Sequence, residues 1–429
     1  MFISRSSLWS DLDCAHTEKT QAYFERSGSP PINLRLWGDV GQSFLDAFLQ
    51  IIPQVIGRLK SLTVALESGH LEIIIPNLSH PAPLLEKLVL DGRYRKPQDY
   101  PVLASTIFNG DLSSLRELHL QRIRTELPWR NTKNLTSFTL DSSSVGDLGQ
   151  LLDFLESAPH LHNIGLLSTT LISGDENGRL VSLDHLERME IVDCGPTSVL
   201  LDHLVVPIGA KLVSQQYSDA FVIEDHVPRS LDNLKNLSSV TEIHLHLDGL
   251  QLFARFSGPD GQLRITATQI GVPPSLALES LARFDTSKTK WLKIYSNSGP
   301  LSKDPPYRAL LPMKNLRTLV LSRCTGLLYT FMEVLNPNTN PSKEVVCPSL
   351  EELVFVPCFR RDDEEFDIRT VIEMAVARAA RGAKLRTIKD RAELDPVDVL
   401  ELRKHILHVE YGPEVDLYED SSDDSDWED

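Results

Sequence analysis

The chain has 429 residues, 41% hydrophobic and 24% charged, with a formal net charge of −17. That length exceeds what one hydrophobic core usually serves, so the chain is expected to divide or to stack repeats. The acidic balance argues against a nucleic-acid partner, which calls for a basic face. No apolar run approaches the roughly 20 residues a membrane helix needs, and Ile73-Ile74-Ile75 is cut off by Pro76. Met1 to Arg5 leads into Ser6-Ser7-Leu8-Trp9 rather than an apolar core with a cleavage site, so no signal peptide and no membrane partner are expected. Few cysteines and no export signal place the default in a reducing cytoplasmic or nuclear compartment.

Residues 1–40 read as a lead-in segment. Leu8, Trp9 and Leu12 form a small apolar cluster, and a short helix is expected over 19–26 with Ala22, Tyr23 and Phe24 inward. Ser27-Gly28-Ser29-Pro30-Pro31 stops it, and Ile32, Leu34 and Leu36 then alternate with the period of a strand. Over 41–55, Phe44, Leu45, Phe48, Leu49 and Ile52 recur at helical spacing. From there one six-residue window, L-x-x-L-x-L with aliphatic or aromatic variants, returns along the chain. It starts at Leu59, Leu85, Leu115, Leu135, Leu161, Leu186, Val240, Leu316 and Leu350, with a weaker copy at Thr289 and a frayed one at Leu385. This is the strand signature of a leucine-rich repeat, whose period is about 20–29 residues.

Between windows, helices are expected over 147–157, with Leu148, Leu151, Leu152 and Leu155 on one face, and over 364–380, ended by Gly382. Strand, helix and parallel strand in succession imply right-handed crossovers. The predicted fold is therefore an α/β leucine-rich-repeat solenoid over 41–410: a curved parallel sheet of roughly eleven strands on the concave side, helices on the convex side. The cysteines support the register independently. Counting eight on from Leu186, Leu316 and Leu350 reaches Cys194, Cys324 and Cys358, the position where such repeats place Asn or Cys to cap the turn. The same count from Thr289 reaches Asn297.

Two stretches depart from the period. Residues 195–239 hold no clear window. Residues 241–268 read as antiparallel strands, with Ser257-Gly258-Pro259-Asp260-Gly261 as the turn. Beyond 410 the chain becomes acidic and Ser-rich, and 411–429 is expected to be a disordered tail, with Ser421, Ser422 and Ser425 in a context that suits acidophilic kinases.

Alternation along a strand sends window positions one, four and six inward and three, five and seven to the concave face. The candidate protein-binding residues are therefore Glu117, His119, Gln121, Ser137, Thr139, Asp141, Asn163, Arg188, Glu190, Glu242, His244, His246, Glu352 and Val354. His244 and His246 share one strand face with no placed third ligand, so no metal is expected; nor is any cofactor. No G-x-S-x-G, H-E-x-x-H or phosphate-loop motif is present, and catalysis is not expected. Cys347 and Cys358 read as core thiols rather than a disulfide. Trp37, Trp129 and Trp291 read as packing residues, exposure of Trp129 after Pro128 being the alternative.

Ser7-Leu8-Trp9-Ser10-Asp11-Leu12, then Tyr23-Phe24-Glu25-Arg26-Ser27 and Pro31-Ile32-Asn33-Leu34, resemble the stretch just after the F-box in fungal F-box proteins with leucine-rich repeats. The resemblance continues through the later repeats. It implies that the F-box proper, which grips a Skp-type linker subunit, lies ahead of Ser7 and is largely missing here. It also implies that the repeats recruit a protein substrate for ubiquitination by a separate ligase. The alternative is a leucine-rich-repeat scaffold with no ligase link.

Overall fold

The computed structural model describes residues 10–412 except 14–16, 39, 94–98, 127–128, 130, 173–177, 217–225, 238–239, 249–250, 259–260, 268–273, 297–300, 341, 357–367 and 391–394. Ser7-Leu8-Trp9, Pro128, the Pro259-Asp260 turn tip, Asn297, Cys358 and nearly all of the acidic tail lie outside the described residues. The chain forms two compact units, one from residues 1–216 and 225–235, the other from 217–224 and 236–429. Each is a leucine-rich-repeat stack.

In the first unit nine strands pair in parallel, every one with its successor: Asp11–Asp13, Ile32–Trp37, Leu59–Glu67, Lys87–Arg93, Glu117–Gln121, Ser137–Asp141, Asn163–Leu167, Arg188–Val192 and Lys211–Gln216. The windows stay in register, with Leu118 opposite Phe138, Phe138 opposite Ile164 and Ile164 opposite Met189. Their first, fourth and sixth positions are buried throughout, as at Leu115, Leu118 and Leu120. No single repeat hides this surface alone; the neighbouring rungs do it together.

The chain leaves each strand in one repeated way. The eighth window residue takes a positive φ at Arg122 (54°), Ser142 (50°), Ser168 (48°) and Asp193 (51°). This bend turns its N–H toward the next repeat, where Arg122 donates to Asp141 O at 2.8 Å, Ser142 to Leu167 O at 2.7 Å and Asp193 to Gln215 O at 2.9 Å. The ninth residue points its side chain back. Ser143 Oγ donates to Leu120 O (3.2 Å), Thr169 Oγ1 to Leu140 O (3.3 Å) and Cys194 Sγ to Leu166 O (3.2 Å), the sixth-position carbonyl of the preceding repeat in each case. The capping role expected of Cys194 is thus shared with a serine and a threonine. Burial pushes the Cys194 thiol up to about 11, which suits a donor rather than a nucleophile.

Helices do not line the far side of this unit throughout. A helix Leu148–Ser157, N-capped by Asp147, whose side chain accepts from Gln150 N, occupies the Leu135 to Leu161 interval. Val102–Leu103, Arg124–Thr125, Ser144–Asp147 and Thr170–Ile172 instead form a second, short parallel ladder. Leu115 to Leu135 spans only 20 residues and holds Arg124–Thr125 without a helix, whereas the 26-residue Leu135 to Leu161 interval holds both Ser144–Asp147 and the helix.

One further reading needs correction here. The expected irregular stretch contains a regular strand, Lys211–Gln216, in register with Arg188–Val192. It escapes the window because Ser214 stands where Ile191 stands one rung earlier. Ser214 is satisfied by His226 Nδ1 at 2.9 Å, and Thr197 Oγ1 lies 3.2 Å from the same nitrogen, all three side chains being buried. Trp129 packs as expected, 1% accessible and edge-on to Phe154 at 6.3 Å.

The second unit pairs Glu242–Asp248, Trp291–Ser296, Thr318–Ser322, Glu352–Val356, Thr387–Asp390 and His408–Tyr411 in parallel. The strands Gln251–Gly258 and Gly261–Ala267 add antiparallel to Glu242–Asp248, as the hairpin reading expects. Both units together hold more than the eleven or so strands anticipated. Longer intervals here carry helices: Thr325–Leu335 between Leu316 and Leu350, and Ile368–Ala380 between Leu350 and Leu385. Arg323 (φ 53°) and Cys324, whose Sγ donates to Ile294 O at 3.3 Å, repeat the turn of the first unit. Gly382 closes the second helix with φ 81° and the paired bonds Gly382 N to Ala379 O and Ala383 N to Arg378 O. Arg378, fully buried, donates from its guanidinium to Val346 O (2.7 Å) and Cys347 O (2.8 Å), tying the preceding loop to the helix.

Thr169→Val, which keeps the shape but loses the hydroxyl, is expected to cost about 1–2 kcal/mol, measured by urea unfolding, whereas Thr169→Cys costs less. Burial lowers the pKa of His226 from 6.5 to about 4. Its neutral form is the one folded, so the unfolded chain binds the extra proton between those values. Stability from this site is full above pH 6.5 and falls by ~3 kcal/mol as pH drops toward 4. His226→Asn is expected to flatten that part of the stability–pH curve.

Candidate protein-binding face

Pleating puts the third, fifth and seventh window residues of each strand on the face opposite the aliphatic core. In the first unit this open face is assembled in rows, because the register is unbroken from Asn33 to Arg188. The fifth-position row runs Arg35, Thr63, Val89, His119, Thr139, Gly165, Glu190. Next to its last residue, Gly165 leaves a low point; a Cβ there would stand 3.1 Å from Thr139 Cγ2.

The side chains on this face are paired across rungs. Glu117 meets Lys87 Nζ at 2.6 Å, and Arg188 meets Glu190 at 3.3 Å. Gln121 Nε2 donates to Asp141 Oδ2 at 2.7 Å, while Asp91 holds both Arg93 (3.2 Å) and Arg122 (3.1 Å). Thr139, between His119 and Gly165, and Asn163, between Ser137 and Arg188, complete the rows. His119 is half-buried; desolvation lowers its pKa, opposed by the nearby charges of Asp141 and Asp91 and aided by Lys87. The result is an organised polar lattice with its side chains held in place before any partner arrives, which lowers the ordering cost of binding.

Nine predicted residues, Glu117, His119, Gln121, Ser137, Thr139, Asp141, Asn163, Arg188 and Glu190, therefore share this face. Glu242, His244, His246 and Glu352 belong to the second unit. There His244 lies against Trp291 (ring centroids 4.4 Å) and His246 against Tyr295 (4.0 Å). Glu352 accepts from Thr318 Oγ1 at 3.1 Å and pairs with Lys389 at 3.2 Å. Val354 is not surface: it is fully buried beside Val320, with Trp291 and Val356 against them. Among the described residues no cluster of three or more His, Cys, Asp or Glu could hold a metal ion, and no helix is long and apolar enough to cross a membrane.

The reading by windows missed the earlier rungs of the face. Arg35 and Trp37 project from a strand whose alternation of Ile32, Leu34 and Leu36 already marks them as outward. Trp37, read as a packing residue, is 53% exposed and opposite Ala65. Lys87, Val89 and Asp91 follow from the window at Leu85 by the same rule.

No family model matches the chain, and no curated protein matches it. Similar solved structures include a TLR13–ssRNA13 complex, with 13% identity over 89% of this chain and 48% of that one and a TM-score of 0.37. Another is a leucine-rich repeat protein from Bacteroides thetaiotaomicron, with 11% identity over 94% of this chain and 48% of that one and a TM-score of 0.36. The chain spans about half the length of each. The repeat architecture is read from register and burial.

Asp141→Asn removes a charge that raises the His119 pKa, so the imidazole is expected to titrate at still lower pH in the variant, followed by its NMR ring-proton shifts.

Proposed function

We propose that this protein is a non-enzymatic recognition module that holds a protein partner on the open strand face of the first unit. The supporting observation is a rigid, in-register lattice of polar side chains ending at exposed Trp37. Tryptophan and arginine dominate binding energy at protein interfaces, and Arg35 and Trp37 lie two apart on one strand. The net charge of −17 favours a protein over a nucleic acid as the ligand.

We infer further, from the resemblance of its first 34 residues and repeats to fungal F-box proteins, that the module recruits a substrate for ubiquitination. A Skp-type linker would join it to the ligase. Pull-down with that linker separates the two readings: capture supports recruitment, and failure of the full-length native protein to bind leaves a scaffold.

Trp37→Ala is expected to weaken the partner at least about tenfold while shifting the unfolding midpoint little, since the ring is half in solvent. Charge reversal at Glu117 and Glu190 should act in the same direction, and reversal at Glu242 tests the second unit. Partner binding that survives all four changes would place the interface elsewhere.

A further inference from the structure

We propose that a groove beside the first unit's strands, separate from the open face, binds an extended acidic polypeptide segment through its carboxylate- or phosphate-bearing side chains. The groove encloses ≈ 690 Å³ at the leading edge of the strands, where each window begins. Its floor is the row of second window residues, each donating its N–H to the carbonyl of the one before. Glu86 donates to Lys60, Arg116 to Glu86, Thr136 to Arg116 and His162 to Thr136, all at 2.8 Å. Its rim is formed by the residues just ahead of the windows, among them Leu84, His160 and His185.

The charge in this groove is one-sided. Its one lining carboxylate, Glu86, is engaged by Lys60 at 3.5 Å. Among the described residues Arg116 has no acidic partner. His160, His162 and His185 gather at one end, with ring centroids of 5.3 Å between His160 and His185 and 6.0 Å between His162 and His185. His162 Nδ1 lies 2.8 Å from His160 O, and each of the three rings carries at least one N–H donor. The surrounding charged groups are few: Asp184, which already accepts from Ser182 Oγ at 2.7 Å, Glu187 on the next rung, and the exposed Lys133.

The neutral polar groups are already spent. Ser114 Oγ donates to Pro83 O (2.6 Å), Asn134 Nδ2 to Ser113 O (2.6 Å) and Thr136 Oγ1 to Arg116 O (3.0 Å). What remains for a ligand is the Arg116 guanidinium, with the imidazoles two rungs away. Rungs stand about 4.8 Å apart, so this separation of ~10 Å is spanned by three residues of extended chain. An acidic peptide laid across the strands can then meet Arg116 with one side chain and the histidines with another.

The test uses the full chain and three fluorescein-labelled octapeptides: alternating glutamate and glycine, the same with phosphoserine for glutamate, and the same with glutamine. The acidic probes are expected to bind and the glutamine probe not, the first two arms telling carboxylate from phosphate. Arg116→Gln, or His162→Gln with His185→Gln, should weaken binding at least about tenfold. Lys290→Gln in the second unit serves as an unaffected control. These surface changes leave Trp37 and its neighbours untouched, so failure here and failure of the open-face reading are separate results. No binding by either acidic probe, equal binding by glutamine, indifference to the variants, or tighter binding of a single-stranded oligonucleotide would overturn the proposal.

Discussion

Every rung of this protein must solve the same problem: how to leave a strand without orphaning backbone groups at the bend. Buried main-chain donors and acceptors without partners are costly, so the solution recurs. A residue of positive φ sends its N–H forward, and the next side chain reaches back to the previous rung. Adjacent repeats are thereby locked by directional bonds, while the aliphatic contacts between them are non-directional. The positive φ itself is strained for a side-chain-bearing residue such as Arg122 or Asp193, and the main-chain bond formed on either side offsets that strain.

From that lock the open face follows. Because consecutive strands cannot slip by one residue without turning the core outward, the rows of third, fifth and seventh residues are held in line. Lys87 faces Glu117 and Gln121 faces Asp141 by register alone. The opposite side is less uniform: the twenty-residue interval from Leu115 holds a short strand, and the thirty-four-residue interval from Leu316 holds an eleven-residue helix.

Much of this was legible from leucine spacing. The aliphatic windows identify strands whose inward positions are buried without exception from Leu115 to Ile191, and Cys194 and Cys324 mark their turns. Legibility failed where one chemistry replaced another. Ser143 and Thr169 do the work of Cys194, so a search for Asn or Cys passes over them. Lys211–Gln216 was hidden because a serine satisfied by a distant histidine fills an aliphatic slot, and no local pattern announces His226. Trp37 departs from its expected packing role, as the alternation from Ile32 already sends it outward, whereas Trp129 packs beside Phe154. The face was readable in its positions but not in its partner, since the residues between the leucines are free of the constraint that makes the leucines periodic.

The backward-reaching side chains all end on carbonyl oxygens, which every residue type carries. Any repeat is thus a valid neighbour for any other, whatever its outward residues say. Such a chain can grow or shrink by whole units, or shuffle them, without rewriting its joints. Its outward residues are in effect a movable alphabet set on a common grammar of turns.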